Sequence, residues 1–403
     1  MTSRVCNSVN TLAVDESSFF SSSKTVNWDY HRIGWVVAGS MAVATIAISF
    51  FTIFMHCRSY NAPLQQRQIV RILLMPPVYA IISFFSYRFF RSYTYYSLIE
   101  TVYEAFAICA FMFLLVQYIG HSTPEQRKIL SGQPKRSVPF PFCCWRYRPS
   151  KPYFLHAIKW LVLQYCFFRP VITIAAIVCE ALGVLCPNQY SIYFAEAYLE
   201  AFDFVVFTIA LYGLVVFYTV TKEHLKGRSP LAKFLTIKGI VFFTFYQGFV
   251  FSILEKHGVI RGSNYWTATN VSEGLQALCT TIEMVVFSII MIFSFSWKEY
   301  QLMEPTRRTS AFRSFIHSQN YSDFCIELYS SMKFFFDYAR GKPYTSSKHQ
   351  VSGSDTDSAN PQRHLTGLDF NQAYEFEPST DNHSLQSRRR DKTAETEYKT
   401  SNV

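Results

Sequence analysis

Seven long apolar stretches, separated by polar loops, occupy the chain between residues 33 and 297, and the sequence after them is mostly polar. A helix needs about 20 predominantly apolar residues to cross a bilayer core. We therefore predict an all-α membrane protein, a bundle of seven transmembrane helices. The predicted spans are 33–57, 70–89, 97–120, 153–185, 190–220, 231–254 and 271–297. Pro76 and Pro77 should kink the second helix and Pro170 the fourth, because proline lacks a backbone donor.

Lysine and arginine fall mainly on one side of the predicted bundle. The loops after spans one, three and five carry 14 of them, against four in the loops on the opposite side. Basic loops stay in the cytosol, so the N-terminus is predicted to be outside or lumenal and the C-terminal tail cytosolic. The net charge of +10 belongs to these loops and the tail. It indicates attraction to anionic lipid rather than binding of nucleic acid.

The chain divides into the transmembrane domain and three further segments. Residues 1–32 form a lumenal or extracellular N-terminal segment, and 33–297 form the transmembrane domain. Residues 298–341 form a cytosolic amphipathic segment, a helix or helix pair that lies on the membrane surface, covers the bundle or docks against the protein's own loops. Residues 342–403 are rich in Ser, Thr, Asp, Asn and Gln. We expect this tail to be disordered, because it has too few apolar residues to form a core.

Ionisable side chains interrupt the apolar spans. An ionisable group at membrane depth costs about 3 kcal/mol on insertion scales, so such groups face the bundle interior or a water-filled path. One hypothesis is that Arg169 and Lys238 pair with Asp203 and Glu283 and hold helices together. The other is a polar substrate pathway with its binding region at the two bases. The acidic candidates for this pathway are Glu100, Glu104, Glu196, Glu200, Asp203 and Glu283.

The acidic candidates lie mainly in the predicted outer half of the membrane. A mouth rich in carboxylates repels anions unless burial protonates several of them. On these charges alone, an ionic substrate should be a cation or a zwitterion.

The cysteines do not indicate a disulfide framework or a metal site. Cys143 and Cys144 lie among aromatic residues just before span four, where S-palmitoylation would pin the loop to the bilayer; the alternative is an unmodified buried pair. No CxxC pair, His/Cys metal spacing, Gly-rich phosphate loop or nucleophile elbow occurs. We therefore predict no metal, no cofactor and no enzyme activity.

Several short motifs together resemble the organic solute transporter alpha / TMEM184 (DUF300) family, over about residues 30–340. The motifs are Tyr60-Asn61-Ala62-Pro63, Met75-Pro76-Pro77, Tyr103-Glu104-Ala105-Phe106, Leu163-Gln164-Tyr165, Arg169-Pro170, Ile237-Lys238-Gly239, Tyr246-Gln247-Gly248, Leu275-Gln276 and Ile282-Glu283-Met284. The resemblance implies seven helices with the N-terminus outside. It adds Gln247 and Gln276 to the candidate polar pathway. It favours a fungal vacuolar-type member.

Two functions follow from this resemblance. The first is facilitative transport of amphipathic organic solutes, sterol-like or lipid-like, across a vacuolar or endosomal membrane, with Golgi and plasma membrane as alternatives. The second is a vacuolar scaffold whose tail recruits autophagy or trafficking machinery, through a lipidated ubiquitin-like modifier. The expected partners are membrane lipids and either a second copy of the chain or a single-pass subunit. A seven-helix receptor ranks last, since span three lacks an acidic-Arg-aromatic triplet.

Overall fold

The apolar stretches form helices, as their length and composition predict. A computed structural model describes residues 30–89, 92–120, 123–132, 136–137, 146–147, 149, 152–185, 193–262, 267–301 and 310–340. The helices there are α1 (Tyr30–Arg58), α2 (Pro63–Leu73), α3 (Met75–Arg88), α4 (Tyr93–Ile119), α5 (Thr123–Ser131), α6 (Pro152–Ala181), α7 (Glu196–Thr221), α8 (Pro230–Lys256), α9 (Ala268–Ser294), α10 (Lys298–Gln301), α11 (Ala311–Ser318) and α12 (Ser322–Ala339). Two short strands, β1 (Arg136–Ser137) and β2 (Arg146–Tyr147), pair antiparallel.

Seven of these helical segments are long and apolar enough to cross a membrane: α1, α2 with α3, α4, α6, α7, α8 and α9. The predicted all-α bundle of seven transmembrane helices is therefore confirmed. The second span starts at Pro63 rather than residue 70, so Arg67 and Arg71 lie inside a helix and not in a loop. The orientation of the termini stays a prediction.

The prolines of the second span divide it into two helices. α2 ends at Leu73 and α3 begins at Met75, which leaves Pro76 and Pro77 in the first turn of α3. Proline is tolerated there because the first turn of a helix has no intrahelical partner for its backbone donors. Pro170, in contrast, lies inside α6, which continues to Ala181.

The helices pack around α4, which is largely buried, whereas most of α8 is exposed. α3 packs against α4, α1 and α9; α8 packs on α9; and α7 packs on α6. Gly213 allows the close approach of α7 to α6, since a Cβ there would lie 2.8 Å from Cβ of Leu161. α7 and α8 do not pack against each other along their lengths. We refer to the space between these two helices as the α7/α8 cleft.

The amphipathic segment docks against the bundle as a helix pair. α11 packs on α1 and α2, and α12 packs on α6. Phe324 of α12 is buried, with its ring centroid 5.9 Å from that of Phe106 and 5.0 Å from that of Phe113 on α4. Phe106 lies near the middle of α4, so this segment reaches membrane depth. The segment therefore covers part of the bundle through contacts with its helices.

The sequence Asn270-Val271-Ser272, at the start of the last span, matches a glycosylation sequon but is unsuited to glycan attachment. Asn270 lies in the first turn of α9, where Thr267 accepts a hydrogen bond from its backbone N–H. Its side chain is buried. A glycan acceptor must be exposed on the surface.

Candidate functional site

Lys238 of α8 pairs with Glu104 of α4. Its Nζ lies 2.7 Å from Oε1 of Glu104 and 4.2 Å from the ring centroid of Phe207 on α7. The predicted pairing of Lys238 with Glu283 is therefore wrong. Both acids lie near its depth in the membrane, but the Lys238 side chain is directed toward α4 and α7, whereas Glu283 lies on α9.

The second predicted pair is present. Arg169 of α6 forms an ion pair with Asp203 of α7. Removing either charge would leave the other one buried and unpaired, at a cost of several kcal/mol. This pair therefore fixes α7 to α6, in agreement with the helix-holding hypothesis.

The two ion pairs lie beside each other and form one cluster, the charge tetrad of Glu104, Arg169, Asp203 and Lys238. Asp203 is within electrostatic range of Glu104 and Lys238 as well as Arg169. The tetrad joins α4, α6, α7 and α8, four helices that the sequence alone could not place side by side. With two acids and two bases, its formal charges cancel.

The charge tetrad is not sealed inside the bundle. The side chains keep 9% exposure at Glu104 and 22% at Asp203, with Arg169 and Lys238 between these values. Lys238 contacts Phe207, so the tetrad lies between α7 and α8. Both helices that border the cleft carry exposed apolar and aromatic side chains: Phe202, Val205 and Ile209 on α7, and Phe242, Phe245, Tyr246 and Phe249 on α8.

Two tyrosines bound the tetrad on its buried side. Tyr79 of α3 and Tyr165 of α6 are 3% and 2% exposed, respectively. Tyr165 lies within electrostatic range of Glu104, Arg169 and Asp203, and Tyr79 of Glu104 and Arg169. Sequence analysis did not select either residue, because a tyrosine in an apolar span looks like ordinary core.

Glu283, Gln247 and Gln276 form a separate polar seam between α8 and α9. Gln247 donates a hydrogen bond to Oε1 of Glu283, and Nε2 of Gln276 donates to the backbone oxygen of Thr244 at 3.4 Å. Oε1 of Gln247 and Oε2 of Glu283 are buried and have no hydrogen-bond partner among the described residues. This seam lies outside the tetrad and holds α8 against α9.

The remaining predicted acids lie toward the outer ends of the helices. Ser83 of α3 donates a hydrogen bond of 2.8 Å to Glu100. Glu196 lies close to Glu200 and Glu180. Glu273, which was not a candidate from the sequence, lies near Glu255 and near Glu180. By our topology, these acids form an outer group that is separate from the deeper tetrad.

Cys143 and Cys144 lie outside the described residues, as do 1–29 and 341–403. The lipidation prediction and the disordered-tail prediction therefore stay predictions.

Seven helices long and apolar enough to cross a membrane, with ion pairs between them, define a multi-pass integral membrane protein. The chain belongs to the organic solute transporter Ostalpha family, whose model matches residues 34–300. The matched region contains all seven spans and the whole charge tetrad. No solved structure matches the chain.

Proposed function

We propose that this protein is a facilitative transporter of amphipathic organic solutes, such as sterol-like or lipid-like molecules. The polar group of the solute binds at the charge tetrad, and its apolar body lies between the aromatic rims of the α7/α8 cleft. The observation that carries this proposal is the partial exposure of four paired charges between α4, α6, α7 and α8.

The chemistry of the tetrad suits a solute with one charged group. Lys238 and Arg169 offer hydrogen-bond donors to a carboxylate, sulfate or phosphate, and charge-assisted bonds of this kind are stronger than neutral ones. Each base is already paired with an acid. An incoming anion therefore replaces Glu104 or Asp203 as the partner of a base. Because the base has a partner before and after, the free-energy cost of both binding and release is limited.

Entry from the side removes the conflict between an anionic solute and the acidic outer group. A solute dissolved in the bilayer reaches the tetrad through the α7/α8 cleft without passing Glu180, Glu196 or Glu200. The apolar rims match the lipid tails and the apolar body of the solute. The outer acids are then left to interact with water and with neighbouring helices.

The sequence has no Gly-rich phosphate-binding loop, so the solute gradient drives transport. The family membership and its resemblance to vacuolar members support a vacuolar or endosomal membrane as the location. Membrane lipids surround the exposed faces of α7 and α8, and a second copy or a single-pass subunit would bind on such a face.

Uptake into proteoliposomes tests the proposal. Full-length protein should take up a radiolabelled steroid sulfate with saturable kinetics. The Glu104→Gln/Lys238→Met double variant, which removes one ion pair without leaving a lone charge, should lose most of this uptake. Lys226→Met, an exposed loop lysine on the cytosolic side by our topology, is the matched control and should keep it. The proposal fails if wild-type protein transports none of an anionic, zwitterionic and cationic amphiphile, or if the double variant transports as well as wild type.

The scaffold function remains the second candidate, because the docked α11–α12 pair gives the following tail a fixed starting point on the folded domain. A chain truncated after Arg340 separates the two. It should rescue a transport defect but not a defect in recruiting cytosolic machinery.

A further inference from the structure

A second group of charged residues lies near the N-terminal end of α8, which faces the cytosol by our topology. The ammonium of Lys233 donates a 2.9 Å hydrogen bond to the hydroxyl of Tyr118 on α4. It also lies 4.8 Å from the ring centroid of Tyr118 and 5.8 Å from that of Phe295. The guanidinium of Arg228 lies over the same Tyr118 ring at 5.2 Å and pairs with Glu299. Tyr118 therefore contacts two cations.

The charges in this group do not balance. Arg228 has its carboxylate in Glu299, but Lys233 has no carboxylate within 4.0 Å among the described residues, although it is only 4% exposed. Lys238 and Arg169, the bases deeper in the membrane, are each paired with a carboxylate. A buried ammonium costs several kcal/mol unless an anion or good donor–acceptor partners compensate it. One phenol and two ring faces compensate Lys233 only in part.

We propose that Lys233 is a second anion-binding position on the transport path, which receives the anionic group of the solute after it leaves Lys238. This inference rests on the proposed function. The ligand is the same class of molecule, an organic carboxylate or sulfate with an apolar body. Lys233 supplies the charge, and the hydroxyl of Tyr118 supplies a neutral donor beside it once the ammonium turns to the ligand.

The two lysines are placed for a stepwise transfer. Lys233 and Lys238 lie on α8 five positions apart, which corresponds to a rise of about 7.5 Å along the helix. Both side chains reach toward α4, to Tyr118 and Glu104 respectively. Tyr118 and Glu104 lie 14 positions apart on α4, which corresponds to a rise of about 21 Å. An anion that moves toward the cytosol therefore leaves Lys238 before it reaches Lys233.

The Arg228–Glu299 pair closes this position toward the cytosol. Its side chains are 27% and 35% exposed, so the pair lies at the surface while Lys233 lies beneath it. A partly exposed ion pair contributes little stability and opens readily. Release of the solute then requires only the opening of this pair, after which water and cytosolic cations solvate the departing anion.

Sided kinetics test this role. The full-length chain is placed in phosphatidylcholine vesicles, and protease access to the tail identifies which face is outside. Lys233→Met should raise the KM for steroid sulfate loaded from the cytosolic face about tenfold, the usual effect of losing one charge-assisted hydrogen bond. The KM from the opposite face should stay near the wild-type value. Lys233→Arg should restore the cytosolic KM, and Lys226→Met should leave both values unchanged.

Several results would overturn the inference while leaving the proposed function intact. One is an equal change of KM on both faces, and another is a change in thermal stability alone. A third is an effect that needs phosphatidylserine in the vesicles, which would assign Lys233 to a lipid headgroup. If wild-type protein transports neither steroid sulfate nor a zwitterionic or cationic amphiphile, the proposed function fails. Equilibrium binding of the same probe to detergent-purified protein then decides, since unchanged binding by Lys233→Met would refute the second position.

Discussion

The carboxylate of Asp323 binds the guanidinium of Arg71, with 2.7 Å between Oδ2 and Nη1 and 2.9 Å between Oδ1 and Nη2. Arg67 lies 3.3 Å from the same carboxylate, and Gln68 donates to it at 3.0 Å. Arg71 also donates from Nε to the backbone oxygen of Ser318 at 2.9 Å. These contacts fasten α11 and α12 to α2, the first part of the second span. The segment after the seventh span is therefore part of the folded domain.

Replacing Asp323 by Asn should destabilise the protein strongly. The substitution keeps the shape of the side chain but leaves Arg67 and Arg71 buried without a carboxylate, and breaking a buried pair in this way costs about 3–5 kcal/mol. The thermal unfolding midpoint of purified protein in detergent measures the effect. Glu223→Gln, which changes an exposed acid, is the control and should unfold like wild type. An unchanged midpoint for Asp323→Asn would show that the tail helices do not depend on this carboxylate.

Docking of α11 should weaken in acid. The hydroxyl of Tyr60 lies 3.1 Å from Nδ1 of His317, and burial, together with Arg67 and Arg71, lowers the pKa of His317 below its ordinary value of 6.5. The undocked state then binds the proton more readily, so the stabilisation is complete above about pH 6.5 and declines as the pH falls below it. Unfolding midpoints between pH 7.5 and 5 should show this decline for wild type, and less of it for His317→Gln. Parallel curves for the two proteins would exclude His317 as the cause.

A double-mutant cycle should couple Lys238 to Glu104 and not to Glu283. The first pair is in contact, whereas Glu283 is bonded to Gln247. Residues in direct contact show coupling free energies of about 0.5–3 kcal/mol, and residues without shared partners add independently. Unfolding free energies of Lys238→Met, Glu104→Gln, Glu283→Gln and the two double variants measure both couplings. A larger coupling between Lys238 and Glu283 would mean that the Lys238 side chain points toward α9.

Truncation after Arg340 should leave folding and transport intact. The contacts that dock α11 and α12 come from residues up to Glu327, which pairs with Lys159 at 2.9 Å. A second truncation after Gln301 removes both helices and should lower the unfolding midpoint, because it exposes the buried Arg67 and Arg71. Equal stability of the two truncated chains would contradict the role given to the helix pair.

Acyl-exchange labelling should detect a lipid on the loop before α6. Labelling of wild-type protein should be strong, and Cys143→Ser/Cys144→Ser should lose most of it. Cys325, an exposed cysteine of α12, provides the comparison, since Cys325→Ser should keep the wild-type signal. Equal labelling of all three proteins would place the lipid elsewhere or exclude it.

The paired charges illustrate how far the sequence could go. Membrane depth, read from position within a span, predicted the Arg169–Asp203 pair, because both residues lie near the middle of neighbouring helices. The same reasoning assigned Lys238 to Glu283 and was wrong. Depth is one coordinate, and the direction of a side chain around its helix axis depends on which helices pack beside it. The contacts of Lys238 with Glu104 of α4 and Phe207 of α7 depend on how the helices of the bundle pack.

By itself, the sequence determined the seven membrane-crossing helices, since apolar length and the cost of exposing backbone polar groups to lipid leave a chain like this few alternatives. It also determined that charged residues had to find partners inside the bundle. Only the tertiary structure decided which partners they are. Arg67 and Arg71 were assigned to a loop. Their partner Asp323 lies some 250 residues later in the chain, so the sequence did not show that they form an ion pair. Contacts at such separation, like that of Lys238 with Glu104, leave no periodic signal in the sequence.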